Sequence, residues 1–203
     1  MTSPTKNRKA VLYLNKMRVL IGFLLIIGIQ SDSHAKIEVF SNLTESIRRK
    51  EIDGNILSLN GIATHRRFIF DVYRLSLYVI NPSQDENKIM ASTDLKYAEM
   101  QFLRDLSSKD LQEAFLDTFH ENCLNDCETL KPEILRLVSA MPDMKEGEKV
   151  DFIFYPQKSV IRGFDNKSME FDGPAFGQFF LRAWLGDNPP SRRFKRELLN
   201  LPS

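Results

Sequence analysis

The stretch NILSLNGIATHRRFIFDVYRLSLYVI, residues 55–80, decides the fold. It is rich in β-branched and aromatic residues, which favour strands, and Gly61 near its middle permits a bend. The segment therefore predicts two adjoining strands or one long bent strand. Successive side chains of a strand point to opposite faces, and here both faces carry hydrophobic residues. We expect the second half of the segment to be covered on both sides for much of its length.

A basic cluster, His65, Arg66 and Arg67, stands in the middle of this stretch. Because neighbouring strand residues alternate between faces, the first two can reach one ligand only where the chain bends. We predict that His65 and Arg66 face an acidic head group, since a guanidinium or a protonated imidazole suits a carboxylate. Arg67 is expected to be a solvated or sheet-edge residue. The alternative is that the cluster is a solvated strand end, with His65 a satisfied histidine there.

The remaining segments predict an antiparallel sheet packed by helices. Residues 96–106 alternate as a half-buried strand, and residues 107–122 predict a helix capped by Ser107 or Ser108. A second helix is expected to begin near Pro132, where the missing N–H costs little. Three short strands, a helix and a final helical turn or two follow at residues 149–156, 159–165, 167–173, 175–186 and 189–201. This order is typical of an α+β protein.

The first 35 residues predict a cleaved secretory signal peptide. Five basic residues between positions 6 and 18 precede an apolar stretch, residues 19–29, and Ser33-His34-Ala35 provides a small-x-small cleavage site. This stretch is too short to span a bilayer as a helix, which needs about 20 residues. The alternatives are a retained N-terminal anchor and a start at Met17. We expect the mature chain, residues 36–203, to be periplasmic or secreted.

The charge of the mature chain argues against nucleic acid as a partner. The whole chain has 28 Lys and Arg against 27 Asp and Glu. Cleavage removes five basic residues and one acid, which changes the net charge from +1 to −3. Phosphate binding calls for a clearly basic surface. No repeat, low-complexity tract or long linker divides the remainder, so one domain is expected.

Cys123 and Cys127 stand four positions apart in HENCLNDCETLKPE, residues 120–133. An exported chain meets oxidising conditions, and a turn at this spacing brings two cysteines within disulfide range. We therefore predict that they are paired. The alternative is a metal or haem site formed with His120, at helical spacings i, i+3 and i+7. No second His or Cys pair supports that site, which favours the disulfide.

Four strings in their order along the chain resemble the chalcone isomerase superfamily, and especially its exported bacterial chalcone isomerase-like branch. They are LNGIATHRRFIFDVYRLSLYV (59–79), QFLRDLSSKDLQEAFLDTF (101–119), MKEGEKVDFIFYP (144–156) and FGQFFLRAWLGDNPPSRRFKRELL (176–199). Together they cover about residues 55–201. The resemblance implies an open-faced β-sandwich, in which a large antiparallel sheet is backed by a helical layer with a cleft between them.

The resemblance also indicates where the polar residues of the plant isomerases would fall. Their strand arginine, strand threonine, helix tyrosine, helix asparagine and late threonine fall on or near His65 (or Arg66), Tyr73, Leu111, Thr118 and Ala183, beside Trp184. At most the cationic position is kept, and the others are aliphatic, aromatic or small. Because the loss of one oxyanion donor costs about 2.7–4 kcal/mol, this pattern argues against chalcone isomerisation.

We therefore predict an exported, non-catalytic protein that binds an amphipathic acidic small molecule in a hydrophobic cleft with a basic rim. The resemblance implies a fatty acid, the ligand of the non-catalytic plant members, or haem, which is attributed to some fungal relatives. No metal and no other cofactor is expected. The predicted ligand-binding residues are His65, Arg66, Tyr73, Leu111, Phe115, Thr118, Phe119, Phe180, Ala183 and Trp184. The aromatic residues among them can instead be core beneath the helical layer.

Two other functions stay open. The first is an isomerase or intramolecular lyase that acts on another substrate through His65, Arg66 and Tyr73, with the histidine as general base. No carboxylate or nucleophile at a telling spacing supports it. The second is a structural or partner-binding domain whose surface would be the basic tail RRFKREL, residues 192–198.

Overall fold

The computed structural model describes residues 48–125, 127–165 and 167–202. Within them the chain forms a seven-stranded antiparallel sheet whose strands lie side by side in chain order. The strands are β1 (Arg49–Ile52), β2 (Asn55–Arg67), β3 (Phe70–Val79), β4 (Lys96–Phe102), β5 (Lys149–Phe154), β6 (Lys158–Phe164) and β7 (Lys167–Asp172). The helices are α1 (Glu86–Ala91), α2 (Ser108–Asn122), α3 (Cys127–Ser139), α4 (Ala175–Leu185) and α5 (Arg192–Leu198). The α+β class and the antiparallel sheet backed by helices are confirmed.

The decisive stretch forms the β2–β3 hairpin, but its turn lies where no turn residue marks it. β2 ends at Arg67, which pairs with Phe70, the first residue of β3, so Phe68 and Ile69 form a two-residue loop. The bend expected at Gly61 is a shift of register within β2. Two-residue hairpin loops normally contain Gly, Asn or Asp. The alternative of two adjoining strands is confirmed and that of one long bent strand is wrong, although the loop between the two strands carries none of these residues.

Both faces of β3 are covered over residues 75–79, as predicted. Leu75, Leu77 and Val79 belong to the large core between the sheet and the helices. The alternate residue Tyr78 belongs to a second buried cluster on the opposite face. The members of this second cluster are Leu57, Tyr78, Leu95, Tyr97, Ile153 and Val160. Side chains on both faces of the strand are buried here, because each face has its own apolar partners.

The two middle helices agree with the sequence except at one boundary. Ser107 caps α2, and its Oγ accepts a hydrogen bond from the backbone N–H of Asp110 at 3.1 Å. The second helix begins earlier than expected, at Cys127, so Pro132 lies inside α3 and not near its start. An internal proline removes one backbone hydrogen bond. The apolar face of α3 offsets this cost through burial of Leu130, Ile134, Leu137 and Val138.

Two short elements, β1 and α1, are missing from the sequence prediction. The polar segment that predicts a turn after β3 continues directly into α1. The carboxylate of Asp85 caps this helix by accepting a hydrogen bond from the backbone N–H of Asn87 at 3.0 Å. Asp and Asn are favoured both in turns and at helix N-caps, so composition alone did not separate the two structures.

The predicted disulfide between Cys123 and Cys127 is present, with the two alpha carbons 5.1 Å apart. It joins the end of α2 to the start of α3. Because the two sulfur atoms are bonded to each other, neither is available as a thiolate ligand for the alternative site with His120. Among the residues described, no group of three or more His, Cys, Asp or Glu side chains is placed to hold a metal ion.

Residues 1–47 lie outside the described part of the chain, and the predicted signal peptide lies there with them. Within the described part, no helix has the length and apolar character needed to cross a membrane.

Candidate functional site

His65 of β2 and Tyr73 of β3 form a pair on the helix-packed face of the sheet. They are register partners, and their ring centroids lie 5.0 Å apart. The adjacent pair on the same face, Ala63 and Leu75, is fully buried in the main core. Tyr73 also meets the edge of Phe194 from α5, with ring centroids 5.9 Å apart. The pair therefore sits where the apolar core ends and the hairpin begins to leave it.

The polar atoms of this pair have no protein partner within the described residues. No hydrogen bond joins the Tyr73 hydroxyl or the His65 ring nitrogens to another described group. At the same time, no described side-chain nitrogen or oxygen is both sealed from solvent and unpaired. The Tyr73 hydroxyl and the His65 imidazole therefore keep some contact with solvent, although both residues are largely buried. Two convergent polar groups beside apolar surface are typical of small-molecule sites.

Both members of the pair are uncharged near neutral pH. Burial raises the pKa of the Tyr73 phenol, so its O–H remains a donor. Burial, and then the positive charge of Arg67, lower the pKa of the His65 imidazole. A neutral imidazole has one N–H donor and one acceptor nitrogen. The prediction of a protonated imidazole therefore does not fit this environment, and His65 is better suited to donate a single neutral hydrogen bond.

The lowered pKa of His65 predicts a pH dependence of stability. The unfolded chain takes up a proton on this imidazole as the pH falls through about 6.5, whereas the folded chain resists it. Stability therefore falls with pH in this range, because the unfolded state binds more protons. In urea unfolding at about pH 7.5 and 5.5, the wild type should lose more stability than His65→Gln. An equal loss of stability between the two pH values in the wild type and in His65→Gln would contradict the environment described for His65.

The C-terminal helix α5 fixes this end of β2. The Asn60 side chain donates a hydrogen bond to the carbonyl of Leu198 at 2.7 Å and accepts one from the Ser83 N–H at 2.7 Å. Glu197 accepts a hydrogen bond from the backbone N–H of Thr64 at 3.2 Å. These contacts hold α5 against the strand that carries His65, and so they place Phe194 against Tyr73.

Arg66 lies on the exposed side of the hairpin. The register shifts between His65 and Arg66, so the bend that the sequence argument required does exist. However, the Arg66 Nε donates to the Asp71 carboxylate at 2.5 Å, and this hydrogen bond and charge raise the pKa of the guanidinium. Arg67 is exposed at the end of β2, as expected. A shared head-group contact of His65 and Arg66 stays a prediction, and Asp71 is the residue that competes for it.

The other predicted ligand-binding residues lie in or against the aromatic core. Phe180 contacts both Phe115 and Trp184, with centroids 5.5 Å apart in each case. Phe119, Phe180, Ala183 and Trp184 are almost fully buried. Leu111 and Phe115 of α2 are only half-buried, and the Thr118 hydroxyl donates to the Ala114 carbonyl within the same helix at 2.8 Å. No ring contact among described residues joins this group to the His65–Tyr73 pair, although Tyr73 packs on the same core.

Two surface cavities lie away from the predicted site. One, of about 370 Å³, is formed by the end of β3, the loop after it and α1, and includes Lys88 and Lys96. The other, of about 460 Å³, is lined by Glu121, Asp187, Asn188, Pro189 and Arg192. Neither contains a predicted ligand-binding residue. In this conformation the core aromatics themselves occupy the space between sheet and helices.

Sequence reasoning missed three residues that shape the site. Phe194 contacts Tyr73 of β3 and Glu197 contacts Thr64 of β2, from a helix more than 120 residues further along the chain. No local pattern predicts such a contact. Asp71 could have been found, because a hairpin turn at Phe68–Ile69 would place it opposite Arg66.

Comparison with known proteins identifies the family. The sequence model of chalcone isomerase-like proteins matches residues 42–200, which is most of the chain. The chain belongs to the chalcone isomerase-like family. The resemblance of the four strings is thereby confirmed, while the exported bacterial branch of the family stays a prediction.

A solved structure shares the fold of this chalcone isomerase-like protein. It is the crystal structure of a fatty-acid binding protein from Arabidopsis thaliana, with a TM-score of 0.56 and 11% identity. The match covers 74% of this chain and 89% of that chain. At this identity the likeness establishes the fold alone, and it confirms the chalcone isomerase type of sheet backed by helices. No curated protein matches the chain.

Proposed function

We propose that this chalcone isomerase-like protein is a non-catalytic binding protein for an amphipathic acidic small molecule, a long-chain fatty acid or a haem-like carboxylate. The observation that carries the proposal is the His65–Tyr73 pair, whose unpaired polar atoms lie at the edge of the apolar core and are not sealed from solvent. The Arabidopsis protein that shares the fold is described as a fatty-acid binding protein, which supports the same ligand class.

The pair suits a carboxylate. The Tyr73 O–H and one His65 N–H can both donate to a carboxylate, which only accepts. Hydrogen bonds to an ionised group contribute about 1.5–3 kcal/mol, more than neutral ones. The charge of Arg67, which already acts on His65, adds a favourable field for an anion.

The apolar tail of such a ligand needs space that α2 is best placed to provide. α4 is buried along most of its length, including Phe176, Phe179 and Leu185. By contrast, Leu111, Phe115 and Leu116 of α2 are packed against the core but only partly buried. Displacement of half-buried side chains costs less burial than displacement of fully buried ones. We therefore place the tail beneath α2.

The residues present argue against catalysis of the plant type. The positions that correspond to the tyrosine, asparagine and late threonine of the plant isomerases are near Leu111, Thr118 and Ala183. The Thr118 hydroxyl is bonded within its own helix, and the other two side chains have no donor. An oxyanion would therefore lack the donors that these three positions supply in the plant isomerases, and only His65 and Tyr73 would remain.

Native mass spectrometry of protein purified from an expression host tests the proposal. We expect a population that carries one bound long-chain acid, and uptake of added palmitate by the remainder. A haem-like ligand would instead give an absorption band near the visible range. A protein that is purified empty and takes up neither palmitate nor haem would contradict the proposal.

We also propose that the protein is exported, on the strength of the basic, apolar and small-residue segments of residues 1–35. The exported form should then begin near Lys36. Its intact mass measures this directly. Retention of residues 17–35 in the exported protein would contradict cleavage and would support the N-terminal anchor.

A further inference from the structure

The tip of the β2–β3 hairpin exposes three consecutive apolar side chains. Phe68 is 91% exposed, Ile69 is 87% exposed and Phe70 is 54% exposed. Together with the flanking Arg67 and with Arg104, these residues are called the hairpin tip below. Single exposed apolar residues are ordinary on soluble proteins. Three consecutive exposed apolar residues, two in the hairpin loop and one at the start of β3, are unusual.

The backbone of the tip does not favour these residues. Phe68 has φ of +56°, a left-handed conformation that a bulky aromatic residue adopts only at a cost in energy. Hairpin loops of two residues ordinarily place Gly, Asn or Asp there. Phe68 and Ile69 are almost fully exposed, so they bury little apolar surface within the described fold to offset this cost. Strained backbone conformations of this kind cluster at functional sites such as ligand-binding sites.

The tip is positively charged. The Arg104 guanidinium lies 5.0 Å from the centroid of the Phe70 ring, and Arg67 is exposed beside the loop. Within the described residues neither arginine forms an ion pair with a carboxylate. The nearest acids along the chain are already engaged, Asp71 by Arg66 at 2.5 Å and Asp105 by Lys145 at 2.9 Å. The apolar side chains are thus flanked by two arginines that remain available for an anionic partner.

We infer that the hairpin tip docks on the surface of a lipid bilayer that contains anionic lipids. Phe68, Ile69 and Phe70 would enter the boundary between head groups and acyl chains, and Arg67 and Arg104 would bind lipid phosphates. The pattern of apolar anchors beside guanidinium groups matches this interface, where apolar surface is buried next to fixed negative charge. The inference goes beyond the proposed function and does not depend on which small molecule is bound.

The small size of the tip favours a membrane over a protein partner. An aromatic side chain buries about 150–250 Å². Three apolar side chains therefore bury roughly 750 Å² at most, which is less than the about 800 Å² per partner of a stable protein interface. A bilayer needs no matching shape, and a few apolar side chains with basic neighbours suffice for reversible binding.

Vesicle co-sedimentation without added fatty acid tests the inference. The probe is the mature protein with vesicles of phosphatidylcholine alone or with about 30% phosphatidylglycerol, at about 0.1 M salt. We expect binding to the anionic vesicles. The double variant Phe68→Gly/Ile69→Asn should reduce the partition coefficient at least ten-fold. Ile56→Ser is the matched control, because Ile56 is 62% exposed at the opposite end of β2 and should not matter.

The arginines are tested separately. The double variant Arg67→Glu/Arg104→Glu should abolish the preference for anionic vesicles. Lys109→Glu, which reverses the charge of an exposed residue on α2, should reduce that preference little. The Gly/Asn variant fits the turn better than the natural loop, so its melting temperature should not fall. Ile69→Trp gives a direct reporter, since the natural Trp184 is buried. Brominated lipids should quench the fluorescence of the added tryptophan.

Three results would overturn the inference. The first is no binding of the wild type to either kind of vesicle. The second is equal vesicle binding by the wild type and the Gly/Asn variant. The third is a wild-type dimer in light scattering that the Gly/Asn variant dissociates, without vesicle binding, which would assign the tip to a second copy of the chain.

Discussion

Gly61→Ala is expected to lower the free energy of unfolding by about 3 kcal/mol. A Cβ at this position would lie 2.3 Å from the carbonyl oxygen of Glu197 and 2.4 Å from that of Leu198. Both oxygens belong to the backbone of α5, and they cannot rotate away as a side chain can. The helix would have to move off β2, although its Phe194 and Leu198 side chains are fully buried. Overpacking costs about 1–3 kcal/mol, and disturbance of the Asn60–Leu198 hydrogen bond in the variant adds about 1 kcal/mol.

Gly147→Ala separates this clash from ordinary glycine effects. Gly147 has φ of +89°, but a Cβ there would meet no atom within 4 Å. Alanine in a left-handed conformation costs roughly 1–2 kcal/mol. Urea unfolding should therefore show Gly61→Ala to be the less stable of the two variants. In thermal unfolding its melting temperature should lie about 6–12 °C below that of the wild type. A Gly61→Ala protein as stable as Gly147→Ala would mean that α5 is not held as closely against β2 as described.

The sequence predicted the sheet because most of its strands are marked by a two-residue period and bounded by turn residues. β5, β6 and β7 are separated by short polar or glycine-containing segments and were recognised individually. The turn at Phe68–Ile69 escaped because its residues are those of a strand. Tertiary pairing decided this turn against local preference, and the same conflict is one of the grounds for the role inferred for the hairpin tip.

The site was only half predictable. A resemblance to known sequences pointed to His65 and Tyr73, and the structure places them side by side. Their uncharged states depend on burial and, for His65, also on the nearby Arg67, and burial is not visible in a strand pattern. The head-group contact of Arg66 stays a prediction, and its competitor Asp71 comes into reach only through a turn that the sequence does not mark.

Tyr73→Phe is expected to weaken the binding of a long-chain acid by about 10- to 100-fold while the fold stays intact. The variant removes a hydroxyl that has no protein partner among the described residues, so the free energy of unfolding should change by less than about 0.5 kcal/mol. A hydrogen bond to a carboxylate contributes about 1.5–3 kcal/mol, and each 1.4 kcal/mol is a factor of ten in affinity. Tyr155→Phe is the matched control. Its hydroxyl donates to Asp53 at 2.5 Å, away from the proposed site, and its loss should leave acid binding unchanged.

The methyl ester of the same acid completes the test, because an ester keeps the tail and loses the charge. Calorimetric titration should show that the wild type binds the ester more weakly than the acid by a similar factor. Tyr73→Phe should discriminate between acid and ester much less, since the donor that reads the charge is gone. Arg66→Ala should have a smaller effect than Tyr73→Phe, because Asp71 already holds the Arg66 Nε. Equal affinity of the wild type for acid and ester would refute carboxylate recognition by this pair, and His65 and Tyr73 would then be a structural contact at the end of the hairpin.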